Sequence, residues 1–273
     1  MLRDVTLGQY LPGNTILHKT DPRMKLIISI LFIVMVFIAD NLYALLALLA
    51  FSVMLVLVGR LSPKVVFKGL KPIVFVVIFT SIVSVFWKKG ENLLFSFWKI
   101  EIYEEGITYA VMIALRIIIL IVGTNVLLSY TTSPIALTDG LEQLLSPLKK
   151  IKVPVHDFSM IMTIALRFIP TLIEETDRIM SAQRSRGADF STGSLARRAK
   201  ALIPIFIPLF ASLIRRADEL AVAMECRCYV GDNGRTSMNR LKYSARDLIM
   251  LIVMVAVGVG IFFIGKYTGG PRF

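Results

Sequence analysis

The chain has 273 residues, of which 56% are apolar, with a mean hydropathy of +0.71 and a formal net charge of +12. Soluble domains average roughly 45–50% apolar residues, so this composition excludes an ordinary soluble domain and indicates a membrane protein. The apolar residues come in long runs and not in period-two alternation, which favours helical spans over a barrel of membrane strands. The expected fold class is an all-α integral membrane protein with about five transmembrane helices plus a cytoplasmic helical block.

Met1 to Lys25 is polar and carries Pro12-Gly13 and Asp21-Pro22 before any apolar run, so no cleavable signal peptide is expected there. Residues Gly13 to Thr20 read Gly-Asn-Thr-Ile-Leu-His-Lys-Thr. A phosphate-binding loop needs glycine where His18 stands, and an apolar strand before it, so nucleotide binding is not expected. At about 20 apolar residues per crossing, the spans run Leu26–Ala39, Leu42–Gly59, Ile73–Trp87, Ile107–Leu128 and Leu248–Gly265. The first is short, and Asp40-Asn41 separates it from the second so closely that the two read as a hairpin.

Lysine and arginine in short flanks set orientation. Arg3, Lys19, Arg23 and Lys25 precede the first span, and Arg60, Lys64, Lys68 and Lys71 follow the second without an acidic residue. The loop Lys88–Glu105 balances Lys88, Lys89 and Lys99 with Glu91, Glu101, Glu104 and Glu105. The expected topology is N-terminus inside and C-terminus outside, with residues 130–246 cytoplasmic, in the cell's inner (plasma) membrane. Arg116 lies within the fourth span, where an arginine costs about 2.5–3.5 kcal/mol on insertion scales. It therefore faces the bundle, a partner or water. In the fifth span Ala256 and Gly260 form a small-xxx-small pair that would let another helix approach.

Three regions follow: an N-terminal membrane bundle of four spans (1–129), a polar block (130–246), and a final span with its tail (247–273). The block Tyr130–Arg246 holds 17 basic and 11 acidic side chains, a surplus of six, half of the chain's net charge. Such a balance suits anionic lipid, an acidic protein partner or nucleic acid. Nucleic acid is the weakest reading, because no binding module accompanies the basic residues; attraction to the lipid bilayer accounts for part of the charge. Ser133 caps a short helix Pro134–Leu148. Longer amphipathic helices are expected over Val155–Ser181 and Ala201–Met224, with Pro204 and Pro208 near the start of the second and a polar linker Asp189–Lys200 between them.

The two longer helices end in similar basic segments, Ala182-Gln183-Arg184-Ser185-Arg186-Gly187 and Ala223-Met224-Glu225-Cys226-Arg227-Cys228-Tyr229. Arginine at a helix C-terminus opposes the negative end of the dipole and presents a planar fork of donors to an acidic partner. Two such ends in one block form a paired docking device. Catalytic signatures are lacking. Cys226 and Cys228 are the only cysteines; with His18 and His156 they lack the ligand spacing of a structural zinc site, and a disulfide across one intervening residue would be strained. No metal, cofactor or enzyme activity is expected.

Several segments resemble the transmembrane T component of energy-coupling factor transporters (EcfT/CbiQ-like). They are Gly8-Gln9-Tyr10-Leu11-Pro12-Gly13, Leu17 to Leu26, Ala114-Leu115-Arg116, Arg167-Phe168-Ile169-Pro170, Ala182 to Gly187, and Arg215 to Ala221 leading into Ala223 to Tyr229. The likeness runs in order through nearly the whole chain, and its opening resembles the type whose module several substrate-binding subunits share. The resemblance implies a non-catalytic coupling subunit of an ABC-type importer of vitamins or other micronutrients, bridging two cytoplasmic ATPases and a membrane-embedded substrate-binding S component. The block 130–246 then supplies coupling helices. The family's X-Arg-X motifs map onto Ser185-Arg186-Gly187 and Cys226-Arg227-Cys228 as ATPase-docking residues, with Arg184, Arg116 and Arg167 as supporting or intramembrane contacts. The second motif departs from the family's Ala-Arg-Gly, and losing glycine at a helix end puts the chain exit in question. The alternative reading is the permease subunit of another ATP-driven transporter, with its own translocation path.

Overall fold

The computed structural model describes residues 10–88, 93–97, 100–188, 190, 194–229, 231, 241 and 243–267. In chain order these form a one-turn helix α1 (Ile16–Lys19), α2 (Pro22–Ile38), α3 (Leu42–Val58), α4 (Pro63–Trp87), strands β1 (Leu93–Phe97) and β2 (Ile100–Tyr103), and α5 (Glu104–Thr124) prolonged by a π turn. Then follow α6 (Pro134–Leu145) with a 3-10 extension, α7 (Val155–Ser185), α8 (Leu195–Cys226) and α9 (Ala245–Tyr267). The chain divides into two compact units, one of Gly8–Gln143 with Leu241–Phe273, the other built on Leu144–Arg240.

In the first unit α2, α3, α5 and α9 pack together, and α4 lies along α5. Phe32, Val36, Leu45, Leu48, Ile119 and Val126 are fully buried at the centre. Close approach there depends on missing side chains: a Cβ on Gly123 of α5 would overlap the ring of Phe32, and one on Gly258 of α9 would overlap the Met35 side chain. The small residue used by α9 is thus Gly258, whereas Ala256 is exposed and Gly260 has open space beside it. By contrast α4 buries no residue, and Phe67, Phe75, Phe79, Phe86 and Trp87 are exposed along it. Exposed aromatic and aliphatic side chains around a 25-residue helix are what a lipid-facing span requires.

Helices occupy all five expected spans. α4, α5 with its π turn, and α9 are long and apolar enough to cross a membrane, while α2 and α3 have 17 residues each, about 25 Å at 1.5 Å per residue and the lower limit for a crossing. α7 also meets the length and composition of a span, as the least apolar of the four that do. Its first half exposes Phe158, Ile161 and Met162, and its second half carries Glu174, Glu175, Asp177, Arg178 and Arg184.

Several boundaries differ from those expected. α4 begins at Pro63 and continues through Pro72, so Lys64, Lys68 and Lys71 ride on the helix and not on a loop. α6 stops at Leu145, its first turn closed by the Ala136 amide donating to Ser133 Oγ at 3.2 Å. α8 begins at Leu195, inside the expected linker, which moves Pro204 and Pro208 from the first turns into the helix interior. There each forgoes the amide bond to the carbonyl four residues back, of Lys200 and Pro204 respectively. Between α4 and α5 an antiparallel hairpin, pairing Phe95 with Ile102 and Phe97 with Ile100, adds a small sheet to the helices of the described residues; its apolar, β-branched and aromatic composition suits paired strands.

Candidate functional site

The two basic segments terminate α7 and α8 with the same backbone construction. At the end of α7 the Gly187 amide donates to the Arg184 carbonyl at 2.9 Å and the Ala188 amide reaches back to the Gln183 carbonyl at 3.0 Å. At the end of α8 the Cys228 amide donates to the Glu225 carbonyl at 2.9 Å and the Tyr229 amide to the Met224 carbonyl at 3.0 Å. This is the Schellman arrangement, in which a left-handed residue turns the chain back so that orphan carbonyls of the last turn are satisfied. Gly187 supplies it with φ +87° and Cys228 with φ +57°. Arg186 and Arg227 occupy the same capping position, one residue before the left-handed turn.

That equivalence answers the question raised by the second motif. The chain leaves α8 as it leaves α7, although cysteine stands where glycine is normal. A non-glycine residue in the left-handed region costs about 1–2 kcal/mol, which the two closing hydrogen bonds offset.

Arg186 and Arg227 are exposed and make no ion pair among the described residues. Cys226 and Cys228 are exposed free thiols beside Arg227. The neighbours of Arg186 are occupied on their own helix: Ser185 Oγ donates to the Ser181 carbonyl at 3.2 Å, and Arg184 donates to Met180 Sδ at 3.5 Å with its guanidinium 6.0 Å from the Phe190 ring. Within the unit, α7 packs against α8, and Arg216 Nη2 lies 3.7 Å from Glu175 Oε2. Arg167 is exposed on α7, nineteen residues before Arg186.

Arg116, in the other unit, is an internal cap. Its Nη2 donates to the Ala39 carbonyl at 2.7 Å, within electrostatic reach of Asp40. It thereby ties α5 to the end of α2 at the α2–α3 turn.

Reading the sequence alone misses a buried charge cluster in that unit. Asp21 caps α2 by accepting the Arg23 amide at 2.9 Å and pairs with the Arg23 guanidinium at 3.1 Å. Lys25, 1% exposed, donates to the Thr131 carbonyl at 2.9 Å and to Thr132 Oγ1 at 3.0 Å. Asp247, 2% exposed, accepts the Asp21 amide at 2.9 Å and the Ser244 amide at 2.7 Å. Arg23 also stacks 4.3 Å over the Tyr243 ring. The starts of α2 and α9 and the segment after α5 are knotted through hydrogen bonds, as buried charge requires. The Asp21 side chain finds its partner two residues away in Arg23, but the Asp247 carboxylate that holds its amide lies 226 residues away.

His18, the residue that spoils the phosphate-loop pattern, has a structural place. Its Nε2 faces the Leu11 carbonyl at 2.9 Å and its Nδ1 faces Thr15 Oγ1 at 2.7 Å. A carbonyl only accepts, so Nε2 carries a proton and donates to it, and in the neutral ring Nδ1 accepts from the threonine hydroxyl. The ring packs against Gly13 and fixes the loop before α1. Among the described residues no group of three or more His, Cys, Asp or Glu side chains is placed to hold a metal ion.

Comparison with known proteins is consistent along the chain. Residues 13–238 match the family model CbiQ, described as cobalt transport protein. Among curated relatives, the energy-coupling factor transporter transmembrane protein EcfT of Ruminiclostridium cellulolyticum is 50% identical over 255 residues, covering 93% of this chain and 95% of that one. EcfT of Clostridium kluyveri is 49% identical, covering 96% and 97%, and EcfT of Bacillus subtilis 43%, covering 97% and 99%. With a family model spanning most of its length and relatives this similar end to end, the chain belongs to the EcfT/CbiQ family of energy-coupling factor transporter transmembrane components.

Proposed function

We propose that the two helix ends are docking points for two cytoplasmic ABC ATPases, and that this subunit passes their ATP-driven motion to a membrane-embedded S component that binds the substrate. The observation carrying the reading is the duplicated helix end: two arginines in the same capping position, on identical backbone turns, exposed and without a counter-ion among the described residues. A charged fork held on a rigid helix end suits an acidic cleft in a partner, and a pair of them suits two copies or two related chains.

ATP binding draws the ATPases together; α7 and α8, each held by its tip, change their crossing angle, and their apolar upper portions move the S component. ATP hydrolysis belongs to the partners, and this chain supplies no catalytic group. The cargo class is vitamins or other micronutrients, with selectivity residing in the S component and one module serving several such subunits. The orientation that fits is N-terminus and residues 130–246 on the cytoplasmic side of the plasma membrane, with the C-terminus outside.

The test is Arg186→Glu combined with Arg227→Glu, read by co-purification of ATPases with the full chain from native membranes in mild detergent. Membrane insertion stays intact and ATPase association disappears, because each change turns attraction into repulsion at a desolvated contact. Single changes weaken association less, since the two sites share one complex. Retained ATPases and transport in the double variant would refute the docking role.

A further inference from the structure

An ion pair joins α7 to α8 where Arg216 Nη2 lies 3.7 Å from Glu175 Oε2. With side chains 37% and 26% exposed, such a contact adds little to stability. Its place in the two helices is more informative than its strength. Arg186 stands eleven residues beyond Glu175 on α7, and Arg227 stands eleven residues beyond Arg216 on α8. Eleven helical residues span about 16 Å and turn through three revolutions plus roughly 20°. Each tip arginine therefore lies at the same distance from the contact as the other, and on the same face of its helix as its member of the pair.

We propose that Glu175 and Arg216 are positioning residues that fix the pivot about which α7 and α8 rotate, so that both tips travel equally when the helices open or close. The proposal rests on the docking role assigned to Arg186 and Arg227. With arms of about 16 Å, a rotation of roughly 10° at the pivot carries each tip about 3 Å, and it does so for both tips together. A contact displaced by one turn along one helix alone would change that helix's arm by about 5 Å and leave the other unchanged, so the two tips would travel unequally. The pairing of Glu175 with Arg216 favours this register by a small margin; the equal spacing of the pair from both tips, and not its strength, is what makes their travel equal.

The test uses the complete transporter reconstituted with its ATPases and S component, comparing Glu175→Arg, Arg216→Glu and the two combined. Each single change leaves both ATPases bound but lowers substrate uptake per ATP hydrolysed by about threefold, the scale of an exposed pair lost and replaced by repulsion; the charge-swapped double variant restores it to within about twofold. Unchanged uptake in the single variants, loss of the ATPases from them, or a double variant no better than either single would overturn the pivot.

A second measurement does not require the partners. Spin labels at Ser181→Cys and Val222→Cys, each six residues past the pivot on an exposed position, are introduced into the full chain with Cys226→Ser and Cys228→Ser and read by pulsed electron spin resonance. One narrow distance is expected with the native pair, a broad distribution with Arg216→Glu, and a narrow one again after the swap. An equally narrow distribution in all three would overturn the proposal. If the native chain retains no ATPases yet shows this pattern of distances, the docking reading fails while the pivot stands.

Discussion

The buried cluster around Asp247 and the exposed ends of α7 and α8 use the same charged residue types in opposite ways. In the cluster every charge is met: Asp247 holds two amides, Lys25 donates to Thr131 and Thr132, and Asp21 holds Arg23. At the helix ends the turning chain satisfies the carbonyls of Gln183 and Arg184 and of Met224 and Glu225, while Arg186 and Arg227 extend to solvent without an ion pair among the described residues. Where side-chain charges are consumed internally, their role is to hold elements together. Where only the backbone is consumed, the side chains remain available to a partner.

Four substitutions would break or sharpen this contrast. Asp247→Ala strands the buried amide of Asp21 and leaves Lys25 with less compensation, so it destabilises the full chain by about 3–5 kcal/mol, measured as a lowered unfolding midpoint in detergent. A change under about 1 kcal/mol would mean that the cluster is less closed than its hydrogen bonds indicate. Gly187→Ala forces a Cβ into φ +87°, where nothing lies within 4 Å of it; the expected loss of about 1 kcal/mol is backbone strain without a clash, and it appears as faster amide exchange in the last turn of α7. Cys228→Gly acts in the opposite sense and stabilises the end of α8 by up to about 1 kcal/mol, slowing exchange there and leaving α7 unchanged. Arg186→Ala alters stability by less than about 0.5 kcal/mol while weakening ATPase association, which separates an available charge from a structural one.

Much of the fold was legible because its signals are local. Ser133-Pro134 announces a helix start, apolar runs announce the spans, and both basic segments announce helix ends. Boundaries went astray where a residue's usual meaning was overridden by its surroundings. The third span, expected from Ile73, begins at Pro63 as α4 and runs through Pro72, and Pro204 and Pro208 read as first-turn residues but lie well within α8. Small-residue periodicity indicated Ala256 and Gly260 as the place for another helix to approach, whereas within the chain the glycine of α9 in close contact is Gly258, against Met35. The role of Arg116 as a cap on Ala39, the partners of Lys25 and the pairing of Glu175 with Arg216 are long-range facts, and a single sequence has no period or spacing that encodes them.

The left-handed turn after Arg227 also bears on how such a helix end can vary. Since the chain keeps the same path with cysteine at that position as with glycine, what places the arginine is a torsion and two hydrogen bonds, not a three-letter string. Residues that tolerate positive φ, chiefly glycine, asparagine and aspartate, are interchangeable there as far as the backbone is concerned, whereas valine, isoleucine and proline are barred. Aspartate would in addition place a carboxylate beside the arginine and silence it, which leaves glycine, asparagine and small unbranched residues as the natural alphabet of the position.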